Sequence, residues 1–323
     1  MLIITREETD PFINLATEEY IFRTFDAPLF MLWINRPAII IGKHQNAFSE
    51  INHRFVQDNG IPVIRRITGG GTVYHDEGNL NYTFILKGQP GKLIDYPAYT
   101  RPVIDALKEL GIEAMLTGKS DLTISGLKFS GNSEHIYKDK VIHHGTLLFD
   151  SNLNILNKAL ASKGLHYHDK AVRSKRSQVT NIACHLPVPM GIHGFKVFLE
   201  DYVSRAFSPA DKVSLTHREH QIIRELAEKK YTSWEWNYGH SPPFVFHKKN
   251  IMPDRDLEMK ISNGIIREFS LTNGANRKTE KDLRKALIHA RFHPADMRNK
   301  LKTLTFAGSI TAKDADKLID EIF

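Results

Sequence analysis

Two runs of residues in this 323-residue chain have the types and spacing to act on an anion. The first is Arg65-Arg66-Ile67-Thr68-Gly69-Gly70-Gly71-Thr72-Val73-Tyr74-His75-Asp76, continued by Gly78-Asn79-Leu80-Asn81-Tyr82. Three successive glycines remove every Cβ from a short span. Backbone N–H groups can then approach a phosphate or carboxylate closely, and left-handed dihedrals cost little. Arg66 adds a planar, permanently charged fork. A bare triple glycine is also an ordinary flexible turn, so the neighbours matter. A Walker loop needs a closing GK[ST] and a dinucleotide fold needs GxGxxG entering a helix; neither is present, and residues 72–75 alternate like a strand. Any nucleotide held here is bound in another way. The second run is Lys128-Phe129-Ser130-Gly131-Asn132, where a Ser-Gly pair lets the chain pass close to a ligand.

His75 and the pair His143-His144 raise the question of zinc, but no third ligand stands at finger-like or HExxH spacing, so zinc is rejected. On a strand, His143 and His144 face opposite sides, and at most one can point at a ligand. Cys184 is the sole cysteine. It excludes an internal disulfide, has no metal-partner pattern around it, and is consistent with a reducing cytosol.

These residues need rigid elements to hold them. Asp10-Pro11 reads as a helix start, with Phe12, Leu15, Ala16 and Phe22 on one face and Glu19 on the same stripe. A carboxylate facing a core requires a partner, so one is expected for Glu19. Strands are predicted at 29–34, 38–41, 62–66, 72–74 and 81–86, a helix at 97–110, a hairpin of 122–124 and 127–130 about Ser125-Gly126, and a strand at 141–149. Closely spaced strands without intervening helices predict an α/β (α+β) architecture with a mixed, largely antiparallel sheet. Helical patterns follow at 152–161, 195–206 and 217–229. Pro242-Pro243 makes 239–243 the best linker, dividing a catalytic domain at 1–240 from a small α+β accessory domain at 246–323. In the latter, Asn263-Gly264 joins strands 257–261 and 265–271, and Thr279 with Asp282 and Thr311 with Asp314 mark helix starts.

The 41% apolar content suffices for a real core, and no run reaches the ~18–20 apolar residues of a membrane span. The amino terminus lacks the basic start and apolar stretch of a signal peptide, so a cytoplasmic protein is expected. A formal charge of +7 invites a nucleic-acid reading, but Lys170, Arg173, Lys175 and Arg176 have only Tyr167 nearby for stacking. A solvated loop and a docking surface for an acidic protein both fit; nucleic acid does not.

The glycine block, Gly118-Lys119-Ser120-Asp121-Leu122, Lys128-Phe129-Ser130-Gly131-Asn132 and His143-His144-Gly145-Thr146-Leu147-Leu148 resemble the active-site motifs of bacterial lipoate-protein ligases. Asn14-Leu15-Ala16-Thr17-Glu18-Glu19, Ile41-Gly42-Lys43-His44-Gln45-Asn46, Arg176-Ser177-Gln178-Val179-Thr180-Asn181 and Ser233-Trp234-Glu235-Trp236-Asn237-Tyr238-Gly239 follow the family's order. The resemblance covers the first three quarters of the chain motif by motif. It implies a biotin/lipoyl ligase-like catalytic domain that activates lipoate with ATP and Mg²⁺ to lipoyl-AMP. The acyl group then passes to a lysine of lipoyl domains in 2-oxoacid dehydrogenase complexes or of the glycine cleavage H protein. A monomer is expected.

By the same resemblance, Lys128 lies between acyl group and α-phosphate and is the catalytic residue. Arg66 holds phosphate or the acyl carbonyl. Gly69, Gly70, Gly71, Thr72, Val73, Tyr74, His75, Ser130, Gly131 and His144 line the lipoyl-adenylate, and Asp121 orients it or binds magnesium. Asp121 also reads as a turn residue, and His144 as a structural histidine. Leu15 and Trp33 are assigned to the acyl wall, where an ordinary core role fits equally. Where Ser120 stands, family members often carry Asn, which puts a direct contact there in doubt. Two other readings remain: a cysteine-dependent lipoyl or octanoyl transferase using Cys184, and a non-catalytic lipoyl-domain binder. Biotin ligase lacks its GRGRxG-like loop here.

Overall fold

Asp10 accepts hydrogen bonds from the amides of Phe12 and Ile13, and Pro11 occupies the first turn, so the helix Pro11–Thr24 begins where the sequence places it. Leu15, Ala16 and Phe22 are buried and Phe12 half-buried. The partner expected for Glu19 is threefold: Arg23 Nε at 2.8 Å, Lys230 Nζ at 2.6 Å and the Tyr231 hydroxyl at 2.6 Å. Burial by itself raises the Glu19 carboxyl; the hydrogen bonds from Lys230 and Tyr231 outweigh it and hold the group below its ordinary value.

The computed structural model describes residues 1–88, 94–162, 166–252, 255–272, 277–306 and 310–323. The chain forms two compact units, each assembled from three segments. The first comprises Met1–Lys43, Pro62–Asn157 and Ser174–Thr232; the second comprises His44–Ile61, Lys158–Arg173 and Ser233–Phe323. The division is therefore not a single cut, and residues 239–243 lie inside the second unit.

In the first unit an eight-stranded mixed sheet runs, in spatial order, Asp211–Lys212, Leu2–Thr5, Leu29–Ile34, Asn79–Lys87, Lys140–Leu148, Leu127–Tyr137, Asp121–Ile124 and Ala114–Thr117. Leu2–Thr5 pairs in parallel with both of its neighbours, and the remaining pairs are antiparallel. Phe30, Leu80, Phe84, Val103, Phe129 and Phe195 anchor its core. A separate three-stranded sheet places Ala38–Ile41 between Val63–Arg65 and Val73–His75. The triple glycine thus connects the two edge strands of a small sheet.

The lysine-bearing strand, Leu127–Tyr137, is far longer than the 127–130 expected, because its continuation pairs with Lys140–Leu148 rather than with its hairpin partner. The hairpin turn is as the sequence predicts, with Ser125 and Gly126 at φ 50° and 81°. Beyond it Thr123 faces Lys128 and Leu122 faces Ser130, leaving Phe129 as a bulge residue driven into the core.

The second unit carries an antiparallel sheet of Tyr167–Asp169, Phe244–Met252, Arg255–Ser262 and Ile265–Thr272. Asn263 and Gly264 both take positive φ, as a two-residue hairpin loop requires. Helices Arg277–Leu287, Pro294–Phe306 and Ala312–Ile322 accompany it, and the Thr311 hydroxyl caps the last by accepting the Asp314 amide at 3.1 Å. The first of these already runs from Arg277 through Thr279, so that helix starts earlier than expected; residues 273–276 lie outside the described residues.

Candidate active site

Arg66 is buried, and its guanidinium is spent on the glycine loop. Nε donates to Thr68 Oγ1 at 2.9 Å and the Gly69 carbonyl at 3.1 Å; Nη1 donates to the Ile40 carbonyl at 3.2 Å; Nη2 donates to the Gly71 carbonyl at 2.8 Å and also to Gly69. Carbonyls turned toward Arg66 tie the loop down from inside. Burial lowers the Arg66 pKa to about 10, which leaves it fully charged at neutral pH. The expectation that Arg66 itself grips a phosphate meets an arginine already engaged as the organiser of the loop. Arg65 is likewise buried, donating to the Gly42 and Lys43 carbonyls. Gly70 sits at φ +84°, and a Cβ there would lie 2.9 Å from Arg66 Nη2. The Thr72 amide donates to Ser174 Oγ at 2.8 Å, while Val73 and Tyr74 pair with Ile40 and Ile39.

A buried series of hydrogen bonds runs through the loop's neighbours. Arg66 donates to Thr68 Oγ1, and the same hydroxyl is hydrogen-bonded to His144 Nε2 at 2.7 Å. On the other side of the ring His144 Nδ1 lies 2.7 Å from Glu18 Oε1. From the other side Trp33 Nε1 donates to Thr83 Oγ1 at 3.1 Å, and Thr83 donates to the same Glu18 oxygen at 2.7 Å. Glu18 and Thr83 are missing from the sequence assignment. Glu18 is quoted there only within its motif, and nothing in a linear pattern joins it to His144, 126 residues away. His75 is buried beside Trp33, with Nδ1 3.0 Å from Asn35 Nδ2; burial first, then the Arg66 charge, lowers its pKa to about 3. Leu15 and Trp33 are both buried within the first unit.

The hairpin supplies the other half. Lys128 Nζ lies 2.9 Å from Asp121 Oδ1, and the two side chains are 24% and 32% exposed, so the pair is reachable by a ligand yet held. Gly131 keeps that place open: a Cβ there would meet Lys128 Nζ at 3.2 Å. The Lys128 backbone is clamped from the far side, its amide donating to the Gln178 carbonyl and its carbonyl accepting from the Thr180 amide, both at 2.9 Å. The hairpin strand also touches the glycine loop, because Ser133 Oγ donates to the Gly69 carbonyl at 3.0 Å. The segment from Ser174 to Thr180 therefore reaches from Thr72 to Lys128, and Ser133 closes the opposite side. Ser130 is buried and accepts from Asn132.

Residues 10–204 match the family model of the lipoyl protein ligase A/B catalytic domain, well over half of the chain. The chain belongs to the lipoate-protein ligases. Lipoate-protein ligase LplJ of Bacillus subtilis is 37% identical over 278 residues, covering 84% of each chain. Among solved structures, a lipoate-protein ligase A bound with ATP is 26% identical with a TM-score of 0.60, covering 74% of this chain and 98% of that one. A bipartite lipoate protein ligase from Thermoplasma acidophilum, solved in a study of that enzyme and its E2 lipoyl domain, has 26% identity and a TM-score of 0.60, covering 74% and 96%. This ligase is thus an enzyme of ATP-dependent lipoate ligation, with a family fold of mixed sheets and helices. Among the described residues no helix is long and apolar enough to cross a membrane.

Proposed function

We propose that Lys128 is the catalytic residue of this ligase and that the glycine loop, fixed by Arg66, presents backbone donors to the nucleotide. The observation that carries this is a partly exposed ammonium, paired with one carboxylate, on the strand that also contacts the loop. Lipoate's carboxylate attacks the α-phosphate of ATP, forming the acyl-phosphate bond and releasing pyrophosphate. The acceptor lysine amine then attacks the lipoyl carbonyl, gives up its proton and expels AMP. Charge grows on phosphoryl oxygens first and on the carbonyl oxygen second, and an ammonium between the two stabilises both.

Asp121 fits a magnesium ion that arrives with ATP: a single carboxylate plus phosphate oxygens and water is a usual Mg²⁺ environment. Among the described residues no cluster of three or more His, Cys, Asp or Glu forms a metal cage, which agrees with a substrate-borne ion. Magnesium there would neutralise phosphate charge, and Asp121 would then exchange Lys128 for the ion. For partners, we propose lipoyl domains of 2-oxoacid dehydrogenase complexes or the glycine cleavage H protein. Exposed Lys175 and Arg176 favour an acidic acceptor and speed encounter.

Lipoate-dependent ATP–pyrophosphate exchange, with intact mass of an acceptor lipoyl domain, tests the assignment. Lys128→Ala is expected to lower adenylation by about a hundredfold or more. Cys184→Ser, at an exposed thiol, is expected to leave both steps unchanged. Near-normal exchange in Lys128→Ala would overturn the role of Lys128, and loss of transfer in Cys184→Ser would favour a thioester route instead.

A further inference from the structure

On the face of the sheet opposite His144 lies a second polar series that the ligase chemistry does not use. Asn132 is its inner end. Its amide nitrogen donates to the Ser120 carbonyl at 2.9 Å and to Ser130 Oγ at 3.2 Å, and its backbone N–H reaches the same Ser120 carbonyl at 3.0 Å. Ser120 immediately precedes Asp121, the partner of Lys128. Asn132 therefore grips the turn that delivers Asp121, from the strand that delivers Lys128.

What orients Asn132 can be followed atom by atom. Its Oδ1 can only accept, so the Tyr82 hydroxyl donates to it. Tyr82 Oη has then used its proton and faces His143 Nε2 at 3.4 Å as an acceptor, which places the imidazole proton on Nε2. His143 is fully buried and, by burial first, held well below its ordinary pKa, so it is neutral with one N–H. Its Nδ1 is consequently bare, yet sits 2.9 Å from Glu134 Oε1. With the imidazole in that tautomer, the series requires the proton between them to sit on the carboxyl. Tyr99 stacks on the imidazole at 5.1 Å and Tyr96 meets it edge-on at 5.7 Å, which prevents the ring from turning away. Gly145 is required beneath: a Cβ there would fall 2.1 Å from Asn132 Oδ1 and 2.6 Å from the Tyr82 ring.

We propose that Asn132 is a positioning residue for the Lys128–Asp121 pair, set in place by a one-way series of hydrogen bonds that begins at a protonated Glu134. The inference rests on the assignment of Lys128 and Asp121 to the reacting groups. When the pair releases one proton to solvent, the Glu134 proton passes to His143 Nδ1 and the Nε2 proton is the one lost; the Tyr82 hydroxyl is then drawn to the bare Nε2 and leaves Asn132. The Glu134 carboxyl is raised to about 7, by burial foremost, with the Asp95 charge adding to it and the Asp95 backbone N–H and Lys119 opposing. The groups facing it are His143 and Tyr82 from the sheet, Asp95, Tyr96 and Tyr99 from the helix Tyr96–Glu109 and its cap, and Lys119 from the turn. Protonation below that value keeps the series intact; it is lost as pH rises through it.

The test is lipoate-dependent pyrophosphate exchange by the full chain from about pH 6 to about pH 8.5, spanning the Glu134 transition. In Glu134→Gln the side-chain amide donates to His143 Nδ1 at every pH, so its kcat is expected to stay level where the wild-type kcat declines. Asn132→Asp, which removes the donor to Ser120, is expected to lower kcat roughly tenfold with the lipoate KM unchanged. A constant ratio of wild type to Glu134→Gln across the range, or a wild-type rate in Asn132→Asp, overturns the proposal; if Asn132→Asp does not fold, the Glu134→Gln profile decides. Lys128→Ala is measured alongside: if it is active, the assignment of the pair has failed, and if it is inactive while the other variants behave as wild type, only the positioning role has failed.

Discussion

Gly69 and Gly70 are chemically identical neighbours that the structure assigns different costs. An alanine at Gly69 would meet nothing within 4 Å, at a backbone angle any residue adopts. At Gly70 the φ of +84° costs an L-residue roughly 1–2 kcal/mol, and the new Cβ would stand 2.9 Å from Arg66 Nη2. That nitrogen cannot step aside freely, because it already donates to the Gly69 and Gly71 carbonyls and the arginine is buried. Loss of one charge-assisted hydrogen bond adds roughly 1.5–3 kcal/mol. Gly70→Ala is therefore expected to destabilise the first unit by about 2.5–5 kcal/mol, and displacement of the loop to slow adenylation by about a hundredfold. Gly69→Ala is expected to stay within about 0.5 kcal/mol of wild type. Urea unfolding gives the first quantity and pyrophosphate exchange at varied ATP the second. Equal losses in the two variants would refute the account, because it attributes the difference wholly to Arg66 and to the sign of φ.

Glu18→Leu removes the acceptor shared by His144 and Thr83 and leaves both donors buried, at roughly 1–3 kcal/mol for each group; Glu18→Gln, which keeps an acceptor oxygen, is expected to be much milder, and denaturant titration of the pair separates them. Glu19→Ala leaves Lys230 without its carboxylate and is expected to cost roughly 3–5 kcal/mol at neutral pH. Since the Glu19 carboxyl is held below its ordinary value in the fold, that stabilisation is present above the unfolded pKa and disappears as pH falls through the folded one, so the gap between wild type and variant should close in acid.

Residue types and local spacing made the secondary elements near the site legible. Asp10-Pro11, Ser125-Gly126 and Asn263-Gly264 act within a few residues of themselves, so their backbone consequences can be read without a partner. The short strands at 29–34 and 38–41 were legible for the same reason, being apolar runs bounded by turn residues. The full Leu127–Tyr137 strand was not, because its second half carries Gly131, Asn132, Ser133 and Glu134, residues of low strand preference held by pairing with Lys140–Leu148.

Sequence alone determined that His143 and His144 face opposite ways and that Glu19 needs a partner. Each of these follows from a side chain's own chemistry and the period of the element carrying it. Only the tertiary structure decided who the partners are: Arg66 turned inward to the glycine carbonyls, Glu18 joined to His144 and Thr83, Glu134 loaded against His143, and segments 44–61 and 158–173 grouped with the carboxy-terminal unit. A buried polar group must find a complement, but which residue supplies it depends on strand order and register, and these are set by contacts between parts of the chain far apart in sequence.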